Sequence, residues 1–422
     1  MIEKKRVVFV DQVRALAITM MLVGHSMDRF LGDTWKATEA YRNYQFVRGL
    51  SSSLFLTVAG FSFVIASFGR MEAYTSMSDR MKARLRRIGF ILFLGMVLQM
   101  PSATLYGMMQ VTSPARWEYF YSFNVLQNIG LGLLMLHGLL FSCRDARRFA
   151  ITAGIGAVVI FAAASLTYRP SFDAVLPVFL KGAFNLYHKS RFPMVPLTAF
   201  MFVGALLGAL YWLNRETPQE RWVVAGGALF GIVLVIFEQV IRSGMIGEIF
   251  PYGSRLPHTP GNTFARLGCA LLIISAFYFL NQFKTVLAGP ALTMSRESLT
   301  IYFVHLLIVY GSALMPGVLR SMKHQMMPWQ VGLFAVSLWV AMYAMAGALG
   351  YLRRTYPKRL TEWRRGILLA AGLMFLFLRY RSFWGTLLVL VAAFAMVYRR
   401  FIFEWALSSG RVVRRRLGKS KI

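Results

Sequence analysis

Apolar stretches close to twenty residues long recur from one end of this sequence to the other, and that repetition restricts its fold more than any other feature. About that many helical residues cross a hydrocarbon core of roughly 30 Å, since a helix rises about 1.5 Å per residue. Hydropathy places spans at about 8–30, 50–68, 88–108, 122–142, 150–167, 196–213, 222–241, 263–281, 297–315 and 331–351. Two shorter apolar segments follow, 366–378 and 383–398, separated by Arg379-Tyr380-Arg381. The expected fold is all-α integral membrane: a polytopic helical bundle of about ten core transmembrane helices, plus one or two short C-terminal apolar helices. Residues 1–351 would form the membrane core, and 352–422 a basic C-terminal region with a short apolar hairpin and a tail. With 57% hydrophobic residues and a mean hydropathy of +0.54, the 422-residue chain leaves no stretch for a large soluble domain.

A formal net charge of +30 would suit nucleic acid, but the basic residues cluster between apolar stretches instead of covering one soluble face. Topology accounts for them, and the expected partner is the lipid bilayer, with no nucleic acid. With the N-terminus inside, the cytoplasmic connections carry Arg80, Lys82, Arg84, Arg86 and Arg87, then Arg144, Arg147 and Arg148, then Arg353, Arg354, Lys358, Arg359, Arg364 and Arg365. The basic tail 411–421 reads as a segment lying on anionic headgroups. The expected location is a bacterial-type inner membrane, multi-pass, with both termini cytoplasmic. Lys4, Lys5 and Arg6 before an apolar run look like a signal, yet the run ends in Gly24-His25-Ser26-Met27-Asp28-Arg29 with no small-residue cleavage site. It is therefore read as a retained first span. Cys143 and Cys269 have no metal-ligand spacing and read as small packing residues, so no metal is expected.

Chemistry concentrates in the first span. Asp11 and Arg14 sit near its inner end, and His25 lies fourteen residues beyond Asp11, about 21 Å along the helix towards the outer side. Histidine suits general-base work, and a titratable side chain inside a membrane is costly enough to make function its default reading. A histidine satisfied by a neighbouring helix is the competing reading. Asp28, three residues on, shares the helical face of His25 and is placed to orient its imidazole or else to sit at the interface. His305 lies in the ninth expected span with Tyr302 three residues before it, and either lines the same cavity or packs. His137 in the fourth span reads as packing or interhelical hydrogen bonding, His188 as a solvated loop residue, and Glu238 with Arg242 as a helix-stabilising pair. The outer connections 101–121, 168–195 and 242–262, rich in aromatic residues, Pro and Gly, suit a lid or interfacial anchoring.

Several ordered segments resemble the acyltransferase-3 family and the wider transmembrane acyltransferase superfamily, which includes the heparan-alpha-glucosaminide N-acetyltransferase catalytic domain. Asp11-x-x-Arg14 with the later His25 looks like the family's opening motif. Ser53-Leu-Phe-Leu-Thr-Val-Ala-Gly60-Phe-Ser62 is similar to its second span, and Arg84-Leu-Arg86-Arg87 to its RxxR element. Val125-Leu-Gln127-Asn-Ile-Gly-Leu, Phe202-Val-Gly204-Ala-Leu-Leu-Gly208 and Ser295-Arg296-Glu297-Ser298-Leu-Thr-Ile-Tyr302-Phe-Val-His305 resemble further family segments in the same order. Ala15, Ala59 and Ser295 depart from the pattern, each a small residue for another small one. The match covers roughly residues 8–310 and is poor after about 350.

The resemblance implies an acyl-CoA-dependent transferase, O- or N-acyl, with His25 as the catalytic base and Asp28 and His305 beside it. The donor would be acyl-CoA, acetyl-CoA first of all, and the acceptor an extracytoplasmic sugar or glycan. Arg14, Arg84, Arg86 and Arg87 would clamp the CoA phosphates, since guanidinium forks pair phosphate oxygens bidentately. Asp11, Gln127 and Tyr302 would contact substrate. Direct transfer and a covalent acyl-histidine both stay open, as does a homo-oligomer. The rival class is a transporter or flippase for a polar envelope precursor that uses His25, Asp11 and Arg14 as a relay; no internal repeat in the sequence favours it.

Overall fold

A computed structural model of the chain describes residues 6–167, 174–184, 188–242, 260–283, 287–313, 317, 320–357 and six positions between 367 and 376. Its long helices are α1 (Val8–Phe30), α2 (Glu39–Ser67), α3 (Asp79–Gln99), α4 (Val125–Cys143), α5 (Ala146–Thr167), α6 (Met194–Asn214), α7 (Gln219–Arg242), α8 (Pro260–Phe283), α9 (Ala288–Arg296), α10 (Ser298–Val309) and α11 (Pro328–Thr355). Among the described residues there is no strand; Leu31 and Met326 form an isolated bridge. The protein is thus an all-α polytopic membrane protein. By contacts the chain divides into two units, Met1–Met100 with Pro114–Ala346, and Pro101–Ser113 with Gly347–Ile422.

Eight of the described helices are long and apolar enough to cross a membrane, or nine if the bent pair α9 and α10 counts as one span. The third expected span differs most. Its arginines are helical: α3 starts at Asp79, capped by Ser78, and carries Arg80, Arg84, Arg86 and Arg87 in its first turns. The helix ends at Gln99, before Pro101, instead of running to 108, and it is too charged to be counted as a span by composition. The ninth span also differs, because the chain bends by 71° between α9 and α10, at the non-helical Glu297. The apolar segments 366–378 and 383–398 and most of the connection 242–262 lie outside the described residues.

Burial separates central from peripheral helices. In α6, 78% of the apolar window is buried, against 22% in α5 and α7, whose Ile155, Val158, Val159, Leu229 and Ile236 stay exposed where lipid would solvate them. Helices in lipid gain nothing from hiding apolar side chains from one another, so close backbone approach must hold them. The α2–α6 crossing supplies it. A Cβ at Gly60 would lie 1.8 Å from the Met201 carbonyl oxygen, and one at Gly204 would lie 1.9 Å from that of Thr57. A Cβ at Gly208, one turn further, would lie 3.0 Å from the Phe61 carbonyl oxygen. These glycines allow the two backbones to touch.

Polar knots fix α1 within this frame. Arg14 donates to Ser295 Oγ on α9 at 2.6 Å and to Ser62 Oγ on α2 at 2.6 Å, and it pairs with Asp11 at 3.4 Å. Asp11 also accepts from Ser295 Oγ at 2.5 Å and from Arg6 at 2.5 and 3.0 Å. Thr19 of α1 accepts from Trp339 Nε1 of α11 at 3.0 Å. Every donor or acceptor unpaired in hydrocarbon would cost several kcal/mol, so such knots both satisfy α1 and set its rotation.

Candidate active site

The two ends of α1 face different surroundings. At its C-terminal end His25 Nδ1 lies 2.9 Å from Tyr310 Oη, just beyond α10, and Tyr310 Oη lies 2.8 Å from Asp28 Oδ2. A carboxylate only accepts, so the phenol donates to Asp28 and its oxygen accepts from His25 Nδ1–H. The neutral imidazole is then the Nδ1–H tautomer, with its lone pair on Nε2. Asp28 is paired with Arg48 of α2 at 3.3 Å and with Arg191 at 3.6 Å, while Lys36 donates to its backbone carbonyl at 2.7 Å. Asp28 is thus linked to His25 through the Tyr310 hydroxyl.

His305 is fully buried on α10, its ring centroid 5.3 Å from that of His25. Its Nδ1 donates to the Ile301 carbonyl at 2.8 Å, one turn back, which leaves Nε2 as an acceptor with no hydrogen-bond partner among the described residues. The Tyr302 ring stands 5.6 Å from the His305 ring, edge to face.

Two cavities open beside His25. The smaller, about 190 Å³, has Tyr302, Tyr310, Gln99 and Asn124 in its wall, and the larger, about 740 Å³, has Asp28, Arg48, Arg191 and Arg266. His25 walls both. The polar side of the smaller cavity is a short chain: Asn124 Nδ2 donates to Gln99 Oε1 at 2.6 Å, and Gln99 Nε2 donates to Ser122 Oγ at 2.7 Å. Gln127 is not in either wall. Its Oε1 accepts the Asn124 backbone N–H at 2.8 Å and completes the capping box of α4.

At the N-terminal end of α1, Arg14 is committed to the knot with Asp11, Ser62 and Ser295. Arg84 lies over the Tyr74 ring at 3.5 Å and the Phe63 ring at 4.9 Å, and donates to Ser67 Oγ at 2.7 Å. Arg86 and Arg87 are exposed, and the Arg87 charge acts on both Arg14 and Arg84. The four arginines thus gather at one end of the bundle, with α3 running from them to Gln99 at the cavity, fifteen residues or about 22 Å away.

The other residues singled out in the sequence have surroundings of their own. His137 is buried against the Phe63 ring and neither ring nitrogen has a hydrogen-bond partner among the described residues, so packing alone holds it. Glu238 is fully buried and accepts the Ala265 N–H at 2.6 Å, joining α7 to α8, while the Arg242 side chain lies outside the description. His188 pairs with Glu118 at 3.4 Å, tying its loop to the short helix Pro114–Tyr121. Among the described residues no group of three His, Cys, Asp or Glu could hold a metal ion. Sequence reasoning missed Tyr310, Arg48 and Arg266: each reads alone as an interfacial aromatic or a boundary charge, and only the fold brings them to His25.

Residues 7–346 match the acyltransferase-3 family, described as an acyltransferase domain. The chain belongs to the acyltransferase-3 family. It is a multi-pass membrane acyltransferase, and the matched residues take in α1 to α10 and most of α11. No curated protein matches it.

Proposed function

We propose that this membrane acyltransferase moves an acyl group, acetyl in the first instance, from cytoplasmic acyl-CoA to a sugar or glycan-like acceptor outside the cytoplasm, in a bacterial-type inner membrane. The observation that carries the reading is the chain Asp28–Tyr310–His25, which leaves the Nε2 lone pair of a cavity-wall imidazole free to take a proton. His25 accepts the proton of the acceptor hydroxyl or amine as that atom attacks the thioester carbonyl. The carbon–sulfur bond then breaks, and the imidazolium returns the proton to the departing thiolate. Asp28, reached through Tyr310, balances the charge that His25 gains meanwhile. The buried Nε2 of His305 is a second acceptor, suited to holding an acceptor hydroxyl beside His25.

Arg86 and Arg87, exposed and beside Arg84, are the side chains suited to the CoA phosphates, with Arg14 fixing the helix that carries His25. Arg14 and His25 are eleven residues apart, about 17 Å, a span that the long, thin pantetheine arm suits. The test is incubation of membranes with labelled acetyl-CoA. Label entering an envelope glycan only where the protein is present supports the reading, and uptake of a precursor into proteoliposomes without any acyl donor would favour transport instead.

A further inference from the structure

The larger cavity beside His25 has an electrostatic character that acyl transfer by itself does not require. Its wall contains Arg48, Lys189, Arg191 and Arg266, and among the described residues that form it Asp28 is the one carboxylate. Asp28 is already engaged by Tyr310, Arg48 and Arg191. Glu118 pairs with Lys189 at 3.1 Å, and Glu238 caps the Ala265 amide, but neither belongs to the wall. Lys189 and Arg266 have partners of their own, so the positive surplus of the space rests first on Arg48 and Arg191, two guanidinium groups that share the one carboxylate of Asp28.

The backbone makes room for these cations. A Cβ at Gly49 would lie 2.5 Å from Arg266 Cζ, and one at Gly24 would lie 3.0 Å from Arg48 Cγ. Any larger residue at either position would displace the arginine that passes over it. Arg266 is only 6% exposed, so its guanidinium has been taken out of bulk water and held at the cavity by close fit. Cations gathered in a partly desolvated space attract an anion more strongly than the same charges on an open surface.

We propose that this cavity is an anion-binding acceptor subsite: it takes a carboxylate or phosphate carried by the acceptor, an acidic or phosphorylated sugar, and so brings the acceptor hydroxyl to His25. The assignment rests on His25 acting as the base for acyl transfer.

The test uses the full-length protein in phosphatidylcholine nanodiscs, titrated with inorganic phosphate and with glucuronate at fixed ionic strength. Binding is read by thermal shift and, for phosphate, by 31P line broadening. Both anions should protect the protein, about tenfold more weakly in Arg191→Gln and in Arg266→Gln, while glucose protects none of the three. The Arg191 side chain is 70% exposed, so that variant keeps the test decisive if Arg266→Gln does not fold. Absence of protection, or protection unchanged in Arg191→Gln, overturns the proposal. Coenzyme A displacing phosphate in an Arg191-dependent way would give the cavity to the donor, and phosphatidylglycerol abolishing phosphate binding would give it to lipid; either overturns the acceptor assignment. His25→Ala separates the two readings. It should keep phosphate binding and lose transfer; transfer retained in His25→Ala removes the base assignment, whereas a wild-type protein that transfers acyl groups but binds neither anion removes only the acceptor class.

Discussion

Replacing Tyr310 by phenylalanine removes one oxygen and leaves the ring against His25, where the two stand edge to face at 5.3 Å. That oxygen makes two hydrogen bonds, 2.9 Å to His25 Nδ1 and 2.8 Å to Asp28 Oδ2. A hydrogen bond to a charged group contributes about 1.5–3 kcal/mol, and here the charge at stake is the imidazolium that forms during the reaction. At about 1.4 kcal/mol per tenfold in rate, Tyr310→Phe should lower kcat about 10- to 100-fold. Asp28 keeps Arg48 and Arg191, so stability should fall by only about 1 kcal/mol and the protein should still fold. The assay is transfer from labelled acetyl-CoA in membrane vesicles that carry their own acceptors, with kcat and the KM for donor measured separately. KM should not move. The substitution should also have no further effect in a His25→Ala background, because Tyr310 acts through His25. An unchanged kcat, or a loss that persists without His25, would refute the chain.

Other perturbations probe the frame and the donor end. Gly204→Ala places a methyl group 1.9 Å from the Thr57 carbonyl oxygen, so the α2–α6 crossing must open; thermal unfolding should show a loss of about 1–3 kcal/mol or more. The double substitution Arg86→Gln with Arg87→Gln, at exposed positions, should weaken CoA binding about tenfold or more by calorimetry without altering thermal stability. Arg84→Gln should instead destabilise the protein, since that guanidinium is stacked on Tyr74 and bonded to Ser67. His137→Phe replaces two buried nitrogens that have no partner among the described residues with an apolar ring, and should leave stability equal or raised in the same unfolding assay.

The apolar stretches showed the fold class because hydrocarbon admits little else. Gly60, Gly204 and Gly208 stood in segments quoted for their resemblance, but that they bring α2 and α6 into backbone contact is seen only in the fold. Helix ends were harder to read. Nothing in Arg296-Glu297-Ser298 announces the bend between α9 and α10, and the arginines of α3 look like a loop when hydropathy alone is scanned. Gln127 carried a capping signature, Asn124 three residues before it, that the motif reading overrode. The polar chain at His25 was hidden for a different reason. Tyr310 is 285 residues from His25 in sequence, and no local pattern encodes a contact made only when α1 and α10 pack.

The account stands or falls on His25. Purified wild-type protein and His25→Ala should be compared for acetyl transfer and for acetyl-CoA binding in one preparation. The account predicts at least about a hundredfold loss of transfer, as removal of a general base requires, with donor binding unchanged. Transfer that survives in His25→Ala at close to the wild-type rate would contradict it.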